Sequence, residues 1–365
     1  MKPSTVLLFA EYQVRKSKNQ KISFIQQACS AAANARYTSN VVRTRSGARN
    51  IIVGDLEKAA VVYTAHYDTP SRSLLPGFVF PTAPALTVLY QMAVALAVLI
   101  PAFIVYFAAS LIFGGLGISP AVTVLLSLIL AMAAFVAAMI LFVSGPPCKN
   151  NANANTSGVA ALFEIMAEIP EELHDYAAFV FFDEQENGCI GSREFAKKNK
   201  RKLGKKLVVN FDCIGIGDEI VIATRPGVKK ELDFIKEAFD EERGFAVSML
   251  KGGNRIPSDH NNFKHGVGIS AFKRSKTGML YADGMCSDND ELCEEKNLNY
   301  IIESAIKLVK IVLENTRAEA LVPEHHEDPA LEGATEIAEP ASESQSEEAV
   351  EAPAEAEANA EQSKK

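Results

Sequence analysis

The sequence predicts an α/β protein: a central mixed, mostly parallel sheet with helices on both faces, carrying in addition a two-helix transmembrane hairpin and a disordered acidic tail. Three observations predict it. Short, mostly apolar runs (Ala59–Tyr63, Ala177–Phe182, Leu207–Asn210) alternate with helical patterns, as strands buried on both faces do. No Asp, Glu, Lys or Arg occurs between Arg72 and Lys149. After about Ala318 the chain is Glu, Ala, Pro and Ser with no aromatic residue.

In order, residues 1–50 read as a basic, amphipathic helical lead-in, with Lys16, Lys18 and Lys21 ahead of apolar positions from Phe24 onward. The opening apolar run is five residues, too short for a signal peptide's core. The strand Ala59–Tyr63 then runs into His66 and Asp68. In an extended chain, residues two apart share a face, so these two converge just past the strand's carboxyl end. That edge is where open α/β sheets bind ligands. A His backed by a carboxylate is also a common metal ligand and its orienting partner. Taken alone, the motif is more often a polar turn than a metal site.

Leu86–Phe113 and Ala121–Val143 are apolar runs, each long enough to cross a hydrocarbon core of ~30 Å at ~1.5 Å per residue. A soluble core helix normally keeps one polar face, and neither run has one. A hairpin returns the chain to the side it left. The connector carries no Lys or Arg, whereas Arg72 and Lys149 flank the other end, so the expected arrangement is a two-pass membrane protein with its soluble part in the cytoplasm.

Beyond Lys149, an Asn-rich loop leads into a helix with Thr156 or Ser157 near its start. Strands are expected at 177–182, 207–210, 219–224 and 267–273, and helices from about Ser192, at 229–242 and at 297–315. The expected divisions are 1–82 (first part of the α/β domain), 83–145 (hairpin), 146–317 (second part) and 318–365 (tail). The tail cannot build a core and is read as disordered. Much of the net charge of −8 lies there, which argues against nucleic acid and makes the tail a candidate element for a protein partner. Six cysteines without CxxC pairing fit a reducing compartment.

The polar residues after these strands form a constellation: His66 and Asp68 after the first, Asp183, Glu184, Gln185 and Glu186 after the second, Asp212 after the third. Strand ends crowded with His and carboxylates point to a borderline metal such as zinc. Asp183 and Glu184 read as solvated or loop-capping, and His260 as a cleft or surface residue.

The motifs HYDT, NANANTSGVAALFE, FVFFDEQENGCIGS, NFDCIG and SDHNNFKHGV, in that order, resemble those of the co-catalytic zinc aminopeptidases of metallopeptidase family twenty-eight, whose relatives include glutamate carboxypeptidase and glutaminyl cyclase. The resemblance covers about residues 50–72 and 149–316, with the hairpin as an insert. It implies two zinc ions ~3.5–4 Å apart sharing a water, and peptide N-termini as substrates. His66 and Asp212 would hold one ion and Glu186 the other. An Asp would bridge both ions at the position of Ala154, a Glu would act as general base at Gln185, and a late His would stand at Cys286. Asp68 would support the catalytic centre behind His66.

Three departures thus fall on the chemistry. Gln185 can hydrogen-bond a water but cannot take its proton, and loss of a general base costs ~10²–10⁴ in rate. Ala154 removes the anion between two dications, which repel by roughly 20 kcal/mol at ~3.5 Å and an effective dielectric of ~20. Cys286 could bind zinc as a thiolate. The expectation is a membrane-anchored, aminopeptidase-like protein with an impaired or inactive site holding zero or one zinc. The alternative is an active metallo-aminopeptidase with altered ligands.

Overall fold

The structure, a computed structural model, describes residues 1–72, 77–143, 145–241, 244–251, 256–285, 287 and 289–321. The expected disordered tail lies outside the described residues, except for 318–321, which extend the last helix.

Two helices open the chain, α1 (Pro3–Glu11) and α2 (Lys18–Asn34), the second started by a reciprocal capping box between Ser17 and Gln20. The helical lead-in ends there. Residues 39–53 form an antiparallel hairpin instead, β1 (Ser39–Arg43) and β2 (Arg49–Val53). Its outer strand is exposed, so it lacks the apolar alternation that marks a strand in sequence.

Next come β3 (Val61–His66), β4 (Gly77–Val79), α3 (Pro84–Gly115) and α4 (Pro120–Val143). They are followed by α5 (Ser157–Glu168), β5 (Ala177–Phe182), α6 (Ile190–Lys198), α7 (Lys200–Leu203) and β6 (Leu207–Phe211). The rest is β7 (Glu219–Thr224), α8 (Glu231–Ala238), β8 (Ala246–Lys251), β9 (Gly266–Arg274), β10 (Leu280–Met285) and α9 (Glu295–Leu321). The last helix runs six residues past its expected end at Asn315.

The sheet order is β1-β2-β5-β3-β6-β9-β10-β4, with β7 paired to β9 and β8 to β7. Its centre, β5-β3-β6-β9, is parallel; the flanking pairs are antiparallel except β7–β8, which is parallel. Every residue of β3, β5 and β6 is buried, as expected for strands covered on both faces. Alternation sends Tyr63, Phe179 and Val209 into a core with Phe24 of α2, Phe163 of α5 and Ile301 of α9. Val62, Val180 and Val208 enter a second core with Phe195 of α6, Leu203 of α7 and Phe263. These two layers are the predicted architecture.

Both α3 and Pro120–Leu141 of α4 are long and apolar enough to cross a membrane, and only 11 % and 6 % of their most apolar windows are buried. They pack on each other and leave Leu89, Phe103, Phe107, Leu125, Ile129 and Met132 exposed.

Candidate active site

Register places the site. His66 is the last residue of β3, level with Phe182 of β5, and Thr64 is level with Asn210 of β6. The residues just past these points, Asp68, Asp183 and Asp212, therefore gather at one carboxyl edge of the sheet.

His66 lies buried between two carboxylates. Its Nδ1 is 3.5 Å from Asp68 Oδ1 and 3.0 Å from the Asp68 carbonyl, and its Nε2 is 3.6 Å from Asp212 Oδ1. Burial by itself would lower the imidazole's pKa, but Asp212 and Asp68 override it and hold it well above the ordinary value. Burial opposes ionisation of Asp212 too, yet His66, Ser258 and Cys213 hold it down at about 2. Ser258 Oγ donates to Asp212 Oδ2, and Cys213 Sγ approaches Oδ1 at 3.2 Å.

Asp68 has a second task. Its two oxygens accept the backbone N–H groups of Gln185 (3.0 Å) and Glu186 (3.1 Å), which fixes the loop after β5 against the loop after β3. Glu186 keeps an outer face open to solvent, but its carboxyl is drawn from bulk water. That desolvation, against the pull of His66 and with repulsion from Asp68 and Asp212, raises its pKa to about 7. Asp183 and Glu184 do cap this loop, and both pair with Lys21 Nζ at 2.6 Å. Asp183 is buried rather than solvated. It also accepts N–H groups from Arg49 and Glu184.

Ala154 sits buried in the Asn-rich loop, where its peptide bond to Asn155 is cis. Asp290 holds this loop through the amides of Asn153 (2.6 Å) and Ala154 (3.0 Å). The expected cap from Thr156 or Ser157 is absent. Asn155 Oδ1 instead accepts the amide of Gly158, and Ser157 Oγ turns back to the Asn153 carbonyl. His260 is fully buried beside Gly268 rather than at the surface, with neither ring nitrogen hydrogen-bonded among the described residues.

Four supporting residues escape a reading of motifs alone. They are Lys21, Ser258, Asp290 and Arg15. The Arg15 guanidinium is fully buried, donates to the Tyr67 carbonyl and reaches Thr156 Oγ1 at 3.1 Å. It joins the His66–Asp68 loop to the Asn-rich loop. No motif marks Arg15, because it lies in an irregular stretch far from both loops in sequence.

Two ligands at ~2.1 Å from a tetrahedral zinc lie ~3.4 Å apart, so the 3.6 Å between His66 Nε2 and Asp212 Oδ1 suits a shared ion. The set stops there. Among the described residues no three His, Cys, Asp or Glu side chains come together as a metal site, and Ala154 offers no carboxylate between two ions. Cys286 lies outside the described residues. The residues present do not fit a two-zinc centre.

A mostly parallel sheet with His and carboxylates at its carboxyl edge defines a zinc-exopeptidase-like fold. Residues 142–299 match the model of Peptidase family M28, so the family resemblance holds over the segment that carries Ala154, Gln185, Glu186 and Asp212. Among solved structures, the Legionella pneumophila LapA aminopeptidase is similar at TM-score 0.51 and 12% identity, over 85% of this chain and 70% of that one. The Porphyromonas gingivalis glutaminyl cyclase is similar at TM-score 0.50 and 13% identity, over 84% and 96%. The Bacteroides thetaiotaomicron glutaminyl cyclase, bound to N-acetylhistamine, is similar at TM-score 0.51 and 14% identity, over 84% and 96%. At these identities the likeness is one of fold. No curated protein matches the chain.

Proposed function

We propose that this is a membrane-anchored, aminopeptidase-like protein whose peptide-hydrolysing site is impaired or inactive, and which retains the cleft for peptide N-termini. The observation that carries the reading is the joint loss of chemistry in an intact frame. Ala154 stands buried and backbone-fastened at the bridging position, and Gln185 is fastened by its amide to Asp68 at the base position. The backbone at both positions is held by buried carboxylates, but no side chain at either position can bridge metals or take a proton.

Zinc occupancy in this reading is zero or one. His66 and Asp212 are the pair that would bind an ion, with Glu186 beside them; bound zinc would supply Lewis acidity there. Without it, the His66 imidazolium offsets one of the two flanking carboxylate charges. Asp68 orients His66 and holds the Gln185–Glu186 loop. Anchoring is assigned to α3 and α4, supported by their length, apolarity and exposure. The soluble part is assigned to the cytoplasmic side, supported by Arg72 and Lys149 at the hairpin's base and by a connector without Lys or Arg.

The test is hydrolysis of an amino-acid anilide by the full chain with added zinc, beside the double variant Ala154→Asp, Gln185→Glu. Turnover by the unmodified chain at a rate like the double variant's would refute the impaired site and favour the active alternative.

A further inference from the structure

The hairpin and the cleft share a root. Asp68 is followed within three residues by Ser71, which bridges Pro147 on the returning strand of chain. Around that bridge the Cys148 amide donates to the Pro70 carbonyl (3.2 Å) and the Arg72 amide to the Pro146 carbonyl (2.9 Å). Cys148 is buried, and six residues further on stands Ala154. Fully extended, three residues span at most ~10 Å and six ~20 Å. The chain segments that lead into and out of the hairpin, Pro70–Arg72 and Pro146–Cys148, are thus paired beside the site loops, on the carboxyl edge of the sheet. Lys200 and the rest of α7 lead into the start of β6, at the opposite edge.

The root is also dressed as a membrane interface. Phe78 stacks on Phe80 (6.1 Å) and meets Tyr90 of α3 edge-on (5.5 Å). Arg72 and Lys149 are exposed there, and Lys16 reaches in to hydrogen-bond Ser71 Oγ. Aromatic rings and cations at the end of an apolar helix pair match the headgroup level of a bilayer.

We propose that the cleft opens against the bilayer surface, and that its ligand is the amino-terminal segment of a polypeptide anchored in or adsorbed on that same membrane. The proposal rests on the membrane and peptide-cleft readings above. Anchored close to the bilayer, the cleft meets membrane-held peptides at a high effective concentration, as linked binding partners do. It meets freely diffusing peptides only at their bulk concentration.

The test uses the full chain in vesicles of phosphatidylcholine with phosphatidylglycerol. A bioorthogonal fluorophore is placed at the cleft rim (Asn187 or Asn289) or at the opposite edge (Lys200), and spin-labelled headgroups are added as quencher. The expected result is at least half of the rim signal quenched and under a tenth of the Lys200 signal. A photo-crosslinkable peptide with a free amino terminus is then offered with and without a carboxyl-terminal acyl anchor. The anchored form is expected to bind at least 10-fold tighter, after subtraction of its partition into vesicles lacking the protein. An unquenched rim in an inserted chain overturns the proposal, as does equal binding of the two peptides. Release of the chain by alkaline carbonate overturns the membrane reading with it. A quenched rim with neither peptide bound overturns the ligand and the peptide-cleft reading while leaving the membrane reading intact.

Discussion

Asp290 accepts the backbone amide of Ala154 at 3.0 Å, so a carboxylate from the far end of the fold holds the position where the resemblance expects a metal bridge. It also holds the amide of Asn153 at 2.6 Å, and its own pKa is pushed up by burial to about 6. Removing it orphans two buried donors, each costing ~1–3 kcal/mol. Asp290→Ala is expected to destabilise the chain by about 2–4 kcal/mol in urea denaturation, and Asp290→Asn, which keeps one acceptor, by about half as much.

The buried Asp259 predicts a pH dependence. Burial raises its pKa from 3.8 to about 6, and its Oδ2 has no partner among the described residues. Between about pH 4 and 6 the native state therefore binds a proton more tightly than the unfolded chain, and stability falls as pH rises through that window. Asp290 acts there in the same direction. Asp212, held at about 2, acts with the opposite sign and lower: its contribution is present above pH ~4 and lost as pH falls towards 2. Asp259→Asn is expected to remove part of the decline between pH 4 and 6, to which Asp290 and Glu186 also contribute, on the order of 1–3 kcal/mol, in denaturation curves taken across that range.

Arg15 ties two loops from the interior. Burial lowers its pKa to about 9 even with Asp68 favouring the charge, so the guanidinium remains a cation at neutral pH. Arg15→Met would leave the Tyr67 carbonyl and Thr156 hydroxyl without that donor and take one cation from near Asp68, which keeps His66 and Lys21. The expected loss is about 3–5 kcal/mol, the cost of breaking a buried charged network, read as a lowered unfolding midpoint.

The site's two substitutions should behave as a unit. Gln185→Glu alone supplies a base without the carboxylate that would bridge a metal pair, and Ala154→Asp alone supplies the bridge without a base. Each single variant is expected to remain near background in anilide hydrolysis. The double variant should rise by ~10²–10⁴ when supplied with zinc.

The centre of this fold was legible because β3, β5 and β6 are mostly apolar runs without alternation, as strands buried on both faces are. The hairpin helices were legible for the same reason. β1 was not, since an exposed outer strand carrying Asn40 and Arg43 has no apolar alternation to read. Nor were β4 and β10, whose pairing of Val79 with Ala282 joins residues two hundred positions apart. At the site, His66, Asp68 and Asp212 were placed together by strand register, and the structure brings them into contact. The residues that hold them, Arg15, Lys21, Ser258 and Asp290, act through long-range hydrogen bonds that leave no local pattern. Cys286 lies outside the described residues.

In the proposed function this frame holds no metal pair. Elemental analysis of the purified full chain, after dialysis against zinc-containing buffer and desalting, tests it most directly. The expected content is one zinc per chain or less; two zinc per chain would contradict the claim.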